Sequence, residues 1–460
     1  MVAVYFTQHW PTASKTAAGL RSRQLLELLH SDGWTVYCAS TSEPTTDESW
    51  QQRVIRLNTN DTQHLVTEVS PDLIIYDRFI TEEQYSWRCR IATPDALHLL
   101  DLQDVHGQRE HRMRVALGKE IEENNVAARE LASAHRCDLV VHISIAEKAW
   151  LTNQYALKPS QLLHLPFMQL NNSMETSPTY QERTGVVSIG NYAHVPNVDG
   201  LQWFKQNVWP LVRASLPTAQ FNSYGYALTP KIQRLSDPRV GFHVNGFVEN
   251  AHTCLSTARV AIAALRFGSG LKGKIWDAWH AGTPTVMTSV AAEGYALDAT
   301  QQITQDTAEA FAQELIRLIT DQYYWQNHQA QMSKRIENQQ SVHCALAVLN
   351  RLKAAVGMKS NPLKYDLVNG IDTPALQLQN EVDHPSEVGD MRCSRFRESD
   401  SNIASFKHGK DSLQTPAELD SCAPNNLLQQ AFLLQQNQST RYLSRLIEIK
   451  ESENYINREK

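Results

Sequence analysis

The sequence predicts an α/β protein built from two doubly wound domains, each a parallel sheet with helices on both faces. Three observations predict it. Short apolar runs alternate with helical patterns through residues 1–168, and the same alternation starts again at residue 185 and continues to about 357. Several of the runs, such as Val2–Phe6 and Leu73–Tyr76, are apolar at every position, as strands covered on both faces are. Between the halves the chain turns polar from Met168 to Thr184 and carries Pro178, which assigns a linker over residues 169–184. A cleft is expected where the carboxyl ends of the two sheets face each other.

Composition narrows the class. The chain has 460 residues, 42% hydrophobic and 20% charged, which suits a globular protein with an ample core. Its 43 basic and 49 acidic residues leave a formal charge of -6, which excludes a nucleic-acid binder held by a broad basic surface. The seven cysteines are odd in number, and no Cys-x-x-Cys pair occurs. Reduced thiols are therefore expected. The start, MVAVYFTQHWP, lacks a basic region followed by a long apolar run, and no 18 apolar residues occur in succession. These features predict a cytoplasmic protein, with peripheral membrane association left open.

In the first half, strands are predicted at Val2–Phe6, Thr35–Ala39, Val54–Leu57, Leu73–Tyr76, Leu97–Leu102, Leu139–Ile143 and Leu162–Leu165. A helix over 17–31 places Leu25, Leu28 and Leu29 on one side and stops at Gly33. Further helices are expected over 82–88, 108–134 and 146–154. In the second half, residues 185–357, strands are expected at 186–189, 220–224, 240–245, 260–265 and 285–288. Helices are expected over 198–216, 272–281, 308–318 and 322–356, all closing the second domain. Beyond residue 357 the chain is rich in Ser, Asn, Asp and Pro and is expected to be of low order to about 424. Residues 425–449 have a helical, Leu- and Gln-rich pattern that could meet a protein partner.

The chemistry concentrates in Val260–Ala292, a strand, a glycine-rich turn and a helix. Gly268, Gly270 and Gly273 let backbone N–H groups approach a ligand, and the helix N-terminus adds partial positive charge for phosphate. Lys272, Lys274 and Arg266 add full charges. Residues 268–274 also fit Gly-x-x-x-x-Gly-Lys, but Ile275 stands where a hydroxyl would have to bind magnesium. A dinucleotide fold would need Gly-x-Gly-x-x-Gly after the first strand, whereas that turn, TQHWPTASKTAAG, has no glycine before Gly19.

The runs IGNYAHVPNVDGLQWFKQNVWPLVRASLPTAQF (189–221) and ARVAIAALRFGSGLKGKIWDAWHAGTPTVMTSVAAEGY (258–295), with VNGFVENAHTCLSTARV before the second, resemble the donor-side domain of family 4 type glycosyltransferases (glycosyl transferases group 1). AAGLRSRQLLELLHSDGWTVYCAS, DLIIYDRF and LLDLQDVH are similar to the acceptor-side half. The resemblance covers residues 1–357 and implies the GT-B fold, two facing Rossmann-like domains. It further implies retaining, metal-independent transfer from a nucleotide diphosphate sugar, a co-substrate, with no cofactor. No Asp-x-Asp triplet occurs, so Arg266, Lys272, Lys274 and the helix N-terminus would stabilise the departing charge.

The resemblance also assigns residues. Asp277, on the face of Lys274, would grip the donor ribose. The family's paired glutamates are half present: Asp277 stands at the later position and Ser269 at the earlier, so the sugar contact would pass to backbone at Gly268, Ser269, Gly270 and Leu271. Asn191, His194 and Glu293 are further donor-side candidates, and the base would meet backbone near Gly246 and Phe247 and near residues 224–226. On the acceptor side stand Gly19, Arg21 and Asp104, with His106 facing the sugar as a proton-sharing imidazole. The basic run Gly107–Arg114 (GQREHRMR) reads as a solvated helix face. The acceptor could be a sugar, glycan, lipid or protein. Two alternatives keep the same fold: a nucleotide-sugar epimerase, and a catalytically degenerate binding protein.

Overall fold

The computed structural model describes residues 1–11, 16–44, 48–119, 125–168, 177–295, 304–338, 341–359 and 413–420. Two all-parallel sheets organise them. The first has seven strands: β1 Val2–Phe6, β2 Thr35–Ser40, β3 Gln51–Val54, β4 Leu73–Asp77, β5 Leu97–Asp101, β6 Leu139–His142 and β7 Leu162–His164, in the order β3-β2-β1-β4-β5-β6-β7. The second has five: β8 Thr184–Ile189, β9 Phe221–Tyr224, β10 Phe242–Val244, β11 Ala258–Ala263 and β12 Thr285–Met287, ordered β10-β9-β8-β11-β12. This is the expected pair of doubly wound domains.

The continuously apolar runs explain themselves once placed. Alternate residues of one strand enter opposite cores: Val4, Phe6, Ile74, Tyr76 and Leu100 pack on one face of the first sheet, while Ala3, Tyr5, Leu73, Ile75, Leu97 and Leu99 pack on the other. In the second domain Val186, Val260, Ile262 and Val286 meet Phe204, Trp209, Phe311 and Trp325.

Several local expectations differ from the structure. The helix expected over 108–134 is two helices, His106–Ala116 and Asn125–Arg136. The third strand lies at 51–54, ahead of the apolar Val54–Leu57. The expected helix over 322–356 breaks into Gln322–Asn338 and Ser341–Lys359. Only the former stays with the second domain. Helix Ser341–Lys359 crosses back, and Ala345, Val348, Leu349, Leu352 and Val356 join the core of the first sheet beside Leu25, Leu29 and Leu97. That stripe recurs at three- and four-residue steps, so one helix face covers the sheet. Lys353 Nζ donates to Asp32 Oδ1 at 2.7 Å and Lys359 Nζ to Asp138 Oδ2 at 2.8 Å, fixing the same side. Finally, part of the tail is ordered: Pro416–Asp420 is a short helix docked on the two domains. The helix expected over 425–449 lies outside the described residues.

Candidate active site in the interdomain cleft

On the second-domain wall, β11 runs into the glycine-rich loop and then helix Gly273–His280. Gly270 has φ +68°, a left-handed conformation that suits glycine. Lys272 turns back on this loop: its Nζ donates to the carbonyl of Ser269 at 2.9 Å and to that of Gly270. Its charge therefore ties the loop, and burial pushes it down to about 8. Lys274 Nζ donates to Asn197 Oδ1 at 2.7 Å and lines a small cavity with Gly190, Tyr192, Asn197 and Leu265. Burial, then the Lys272 charge, push it down to about 8 as well. Asn197 is itself held by donating Nδ2 to Asn191 O at 2.9 Å. The Asp277 carboxyl has no hydrogen-bond partner among the described residues, and enclosure by protein pushes it up to about 7. Such a group favours hydroxyl donors that would satisfy it.

On the first-domain wall, β5 leads through Gln103, in a left-handed conformation at φ +64°, to Asp104 and helix His106–Ala116. His106 Nδ1 lies 3.0 Å from Asp104 O and 3.1 Å from Glu130 Oε1. Both neighbours are acceptors, so Nδ1 carries the proton and Nε2 is left for other work. Glu130 is fully buried and also accepts from the N–H groups of His106 (2.9 Å) and Gly107 (3.0 Å) and from Tyr155 Oη (2.8 Å). Burial alone would lower His106, but Asp104 and Glu130 hold it above its ordinary range. Burial would raise Asp104, yet Arg109, His106, His194 and the Ser269 hydroxyl hold it below the carboxylate range. Glu147, pushed up to about 7 by burial, accepts from Val105 N at 2.9 Å and Ser144 N at 3.1 Å.

The walls touch, and glycines decide how closely. A Cβ at Gly273 would stand 2.5 Å from Ala17 Cβ, so the N-termini of helices Gly273–His280 and Ala17–Ser31, one from each domain, meet. A Cβ at Gly270 would stand 2.8 Å from Asp104 Cβ, and one at Gly294 would stand 2.1 Å from Ser144 Oγ. Ser269 Oγ donates to Asp104 Oδ2 at 3.0 Å across the cleft. The Phe167 and Trp276 rings, tilted by 34°, pack beside the junction with centroids 5.8 Å apart.

The structure thus brings together Asp104, His106, Gly268, Ser269, Gly270, Leu271, Lys272, Lys274, Asn191 and His194 around one cleft. His194 is lowered by burial, then by Arg109. Others are engaged elsewhere. Arg21 is buried and gives Nε and Nη2 to Asp101 Oδ1 at 3.1 and 3.0 Å, so it braces the first domain instead of facing an acceptor. Gly19 N caps onto Thr16 Oγ1 at 2.9 Å. Arg266 is paired with Asp199, its Nε 2.7 Å from Oδ2. Glu293 is held by Arg112 of the first domain, with Nη2–Oε1 2.9 Å. At the end of β10, Gly246 O accepts from Gly225 N at 3.1 Å, and Phe247 meets Tyr226 edge to face at 6.3 Å. Both rings are more than half exposed.

Sequence reading missed Arg112, Glu130 and Tyr155. The basic run Gly107–Arg114 reads in sequence as a solvated face, but Arg112 is 1% exposed. Glu130 is a lone acid in an amphipathic helix, and only the fold brings it under His106.

Among the described residues no helix is long and apolar enough to cross a membrane, and no cluster of three His, Cys, Asp or Glu side chains could hold a metal ion. No curated protein matches the sequence. Solved structures of similar fold include the sucrose-phosphate synthase of Thermosynechococcus elongatus, at 15% identity and TM-score 0.58, covering 77% of this chain and 99% of that one. HepE of Anabaena, in complex with UDP and glucose, is 14% identical with TM-score 0.55, covering 77% of this chain and 100% of that one. TarM of S. aureus, in complex with fondaparinux, alpha-GlcNAc-glycerol and UDP, is 12% identical with TM-score 0.50 over 63% of this chain, which spans 58% of TarM. At these identities the likeness is one of fold. Residues 183–321 match the family described as glycosyl transferases group 1. The chain is a GT-B fold protein whose second domain carries the glycosyl transferases group 1 signature.

Proposed function

We propose that the chain is a glycosyltransferase that moves a sugar from a nucleotide diphosphate donor to an acceptor hydroxyl, without a bound metal and with retention. The observation that carries the reading is the meeting of two helix N-termini, from opposite domains, at Ala17 and Gly273. Two positive dipole ends lying next to each other favour an anion nearby, and Lys274 adds a full charge from the first turn of one of them. A diphosphate there would have its departing charge stabilised by dipoles and Lys274. Asp277, unpaired and reluctant to ionise, suits the ribose hydroxyls. His106, fixed through Nδ1, would orient the sugar or the acceptor through Nε2. Retention is taken from the group 1 resemblance, and the UDP held by HepE and TarM makes UDP-sugars the first donors to test. The acceptor would enter over residues 1–168.

The test is a panel of nucleotide sugars, with donor consumption followed by chromatography and nucleotide binding by calorimetry. Wild-type protein is expected to bind a nucleoside diphosphate and consume one donor. Lys274→Ala is expected to lose roughly a hundredfold or more in kcat/KM, the scale of removing one stabiliser of developing charge. No binding and no consumption with any donor would overturn the reading. Binding without turnover would favour the degenerate binding protein, toward which the engagement of Arg266 and Lys272 by protein partners points.

A further inference from the structure

We propose that residues 413–420 are a latch, an intramolecular partner that docks across the domain seam and favours the closed cleft. The segment is shaped locally before it docks. Glu418 Oε2 accepts from Thr415 N at 2.8 Å and from Thr415 Oγ1 at 3.2 Å, and Pro416 follows, a capping arrangement that starts helix Pro416–Asp420. It then uses one apolar and one charged anchor. Leu419 is 0% exposed, and its seat has two halves: Phe267 and Val290 of the second domain, and Met113, Val115, Ala116 and Leu117 of the first. Asp420 takes Arg112 two-pronged, with Nε–Oδ1 at 2.8 Å and Nη2–Oδ2 at 2.6 Å, and accepts from Gln108 Nε2 at 3.1 Å. Leu413 N donates to Asp306 O of the second domain at 2.6 Å.

Arg112 is the rivet of the seam. From the first domain it also reaches Glu293 and the Gly268 carbonyl, the latter at 2.9 Å, so the latch completes a cation already spent on holding the glycine-rich loop. A buried guanidinium needs its donors satisfied, and Asp420 supplies the acceptor for Nε. A seat assembled from both domains exists only while they touch. Docking there must therefore favour the touching state, and domain separation must release the segment. Nothing in this inference requires the transferase reading.

Hydrogen exchange and small-angle scattering on the full chain test it without any substrate. Leu419→Asp is expected to speed exchange about tenfold or more in residues 106–116 and 266–294, one segment from each domain, and to enlarge the radius of gyration, while β4 and β5 stay protected. Leu419→Met is expected to behave as wild type. If Leu419→Asp also exposes β4 and β5, Asp420→Ala decides by the same measurement. Faster exchange confined to the two seam segments supports the latch. Unchanged exchange and unchanged radius in Leu419→Asp or, where it decides, in Asp420→Ala overturn it.

Discussion

At the residue scale the site is a set of charges held away from their ordinary values, and this sets a pH window. Asp277 is pushed up to about 7 by enclosure, and Lys274 is pushed down to about 8 by burial. In the proposed donor grip the ribose hydroxyls would be held by the Asp277 carboxylate, which forms above about 7, and the diphosphate by the Lys274 ammonium, which persists below about 8. The pH profile of kcat/KM, which reports the free protein, is therefore expected to be a narrow bell between these values. Asp277→Asn should flatten the acidic limb while weakening the donor. It should also stabilise. The unfolded carboxyl titrates near 3.8, so between there and about 7 the folded chain holds a proton the unfolded chain has lost. Wild-type stability then falls as pH rises through that window, and the variant escapes the fall. A melting curve at pH 8 that leaves Asp277→Asn below wild type would contradict this. Lys274 and Asp277 were legible in the sequence because one helix carries both. Arg112 and Asp420 were not, because they are 308 positions apart and only the fold makes them a pair.

At the element scale the strands were the most legible part, since burial on both faces writes an unbroken apolar run. Helix ends were less so. The expected helix over 198–216 starts earlier, at Val195, and passes through a π-helical turn, Phe204–Val208, before resuming at Trp209. Pro210 lacks the N–H that would continue the regular ladder, which accounts for the wider turn. Earlier in that helix Gly200 serves packing. A Cβ there would stand 2.1 Å from the Ala264 carbonyl oxygen, so glycine alone lets helix Val195–Trp203 lie on the loop leaving β11. That contact also sets Asn197 beside Lys274. Gly200→Ala is expected to cost about 1–3 kcal/mol, the usual range for overpacking. It should also weaken nucleotide binding by displacing Asn197. Urea denaturation and calorimetry on the same variant would check both, and a loss of stability with unaltered binding would break the link between packing and site.

At the scale of the whole molecule, the two parallel sheets were legible because the same alternation of apolar runs and helical patterns occurs twice, while residues 169–176 of the expected linker lie outside the described residues. The return of helix Ser341–Lys359 was not. Its apolar stripe tells that one face is buried but not against which sheet, so proximity in sequence pointed to the second domain. The structure puts Leu352, 0% exposed, in one cluster with Leu25, Leu26, Leu29 and Leu97. The first domain is thus incomplete until the chain has passed through the second. A chain ending at residue 338 would leave that face of the first sheet uncovered, which ties the folding of the domains together. Leu352→Ala is expected to cost about 2–5 kcal/mol, as other buried leucines do. The loss should fall on the first domain: hydrogen exchange in β1, β4 and β5 should speed up while β8, β9 and β11 keep their protection. If the second sheet loosened first instead, the helix would be acting as part of the domain that precedes it in sequence, and the crossing would have no energetic weight.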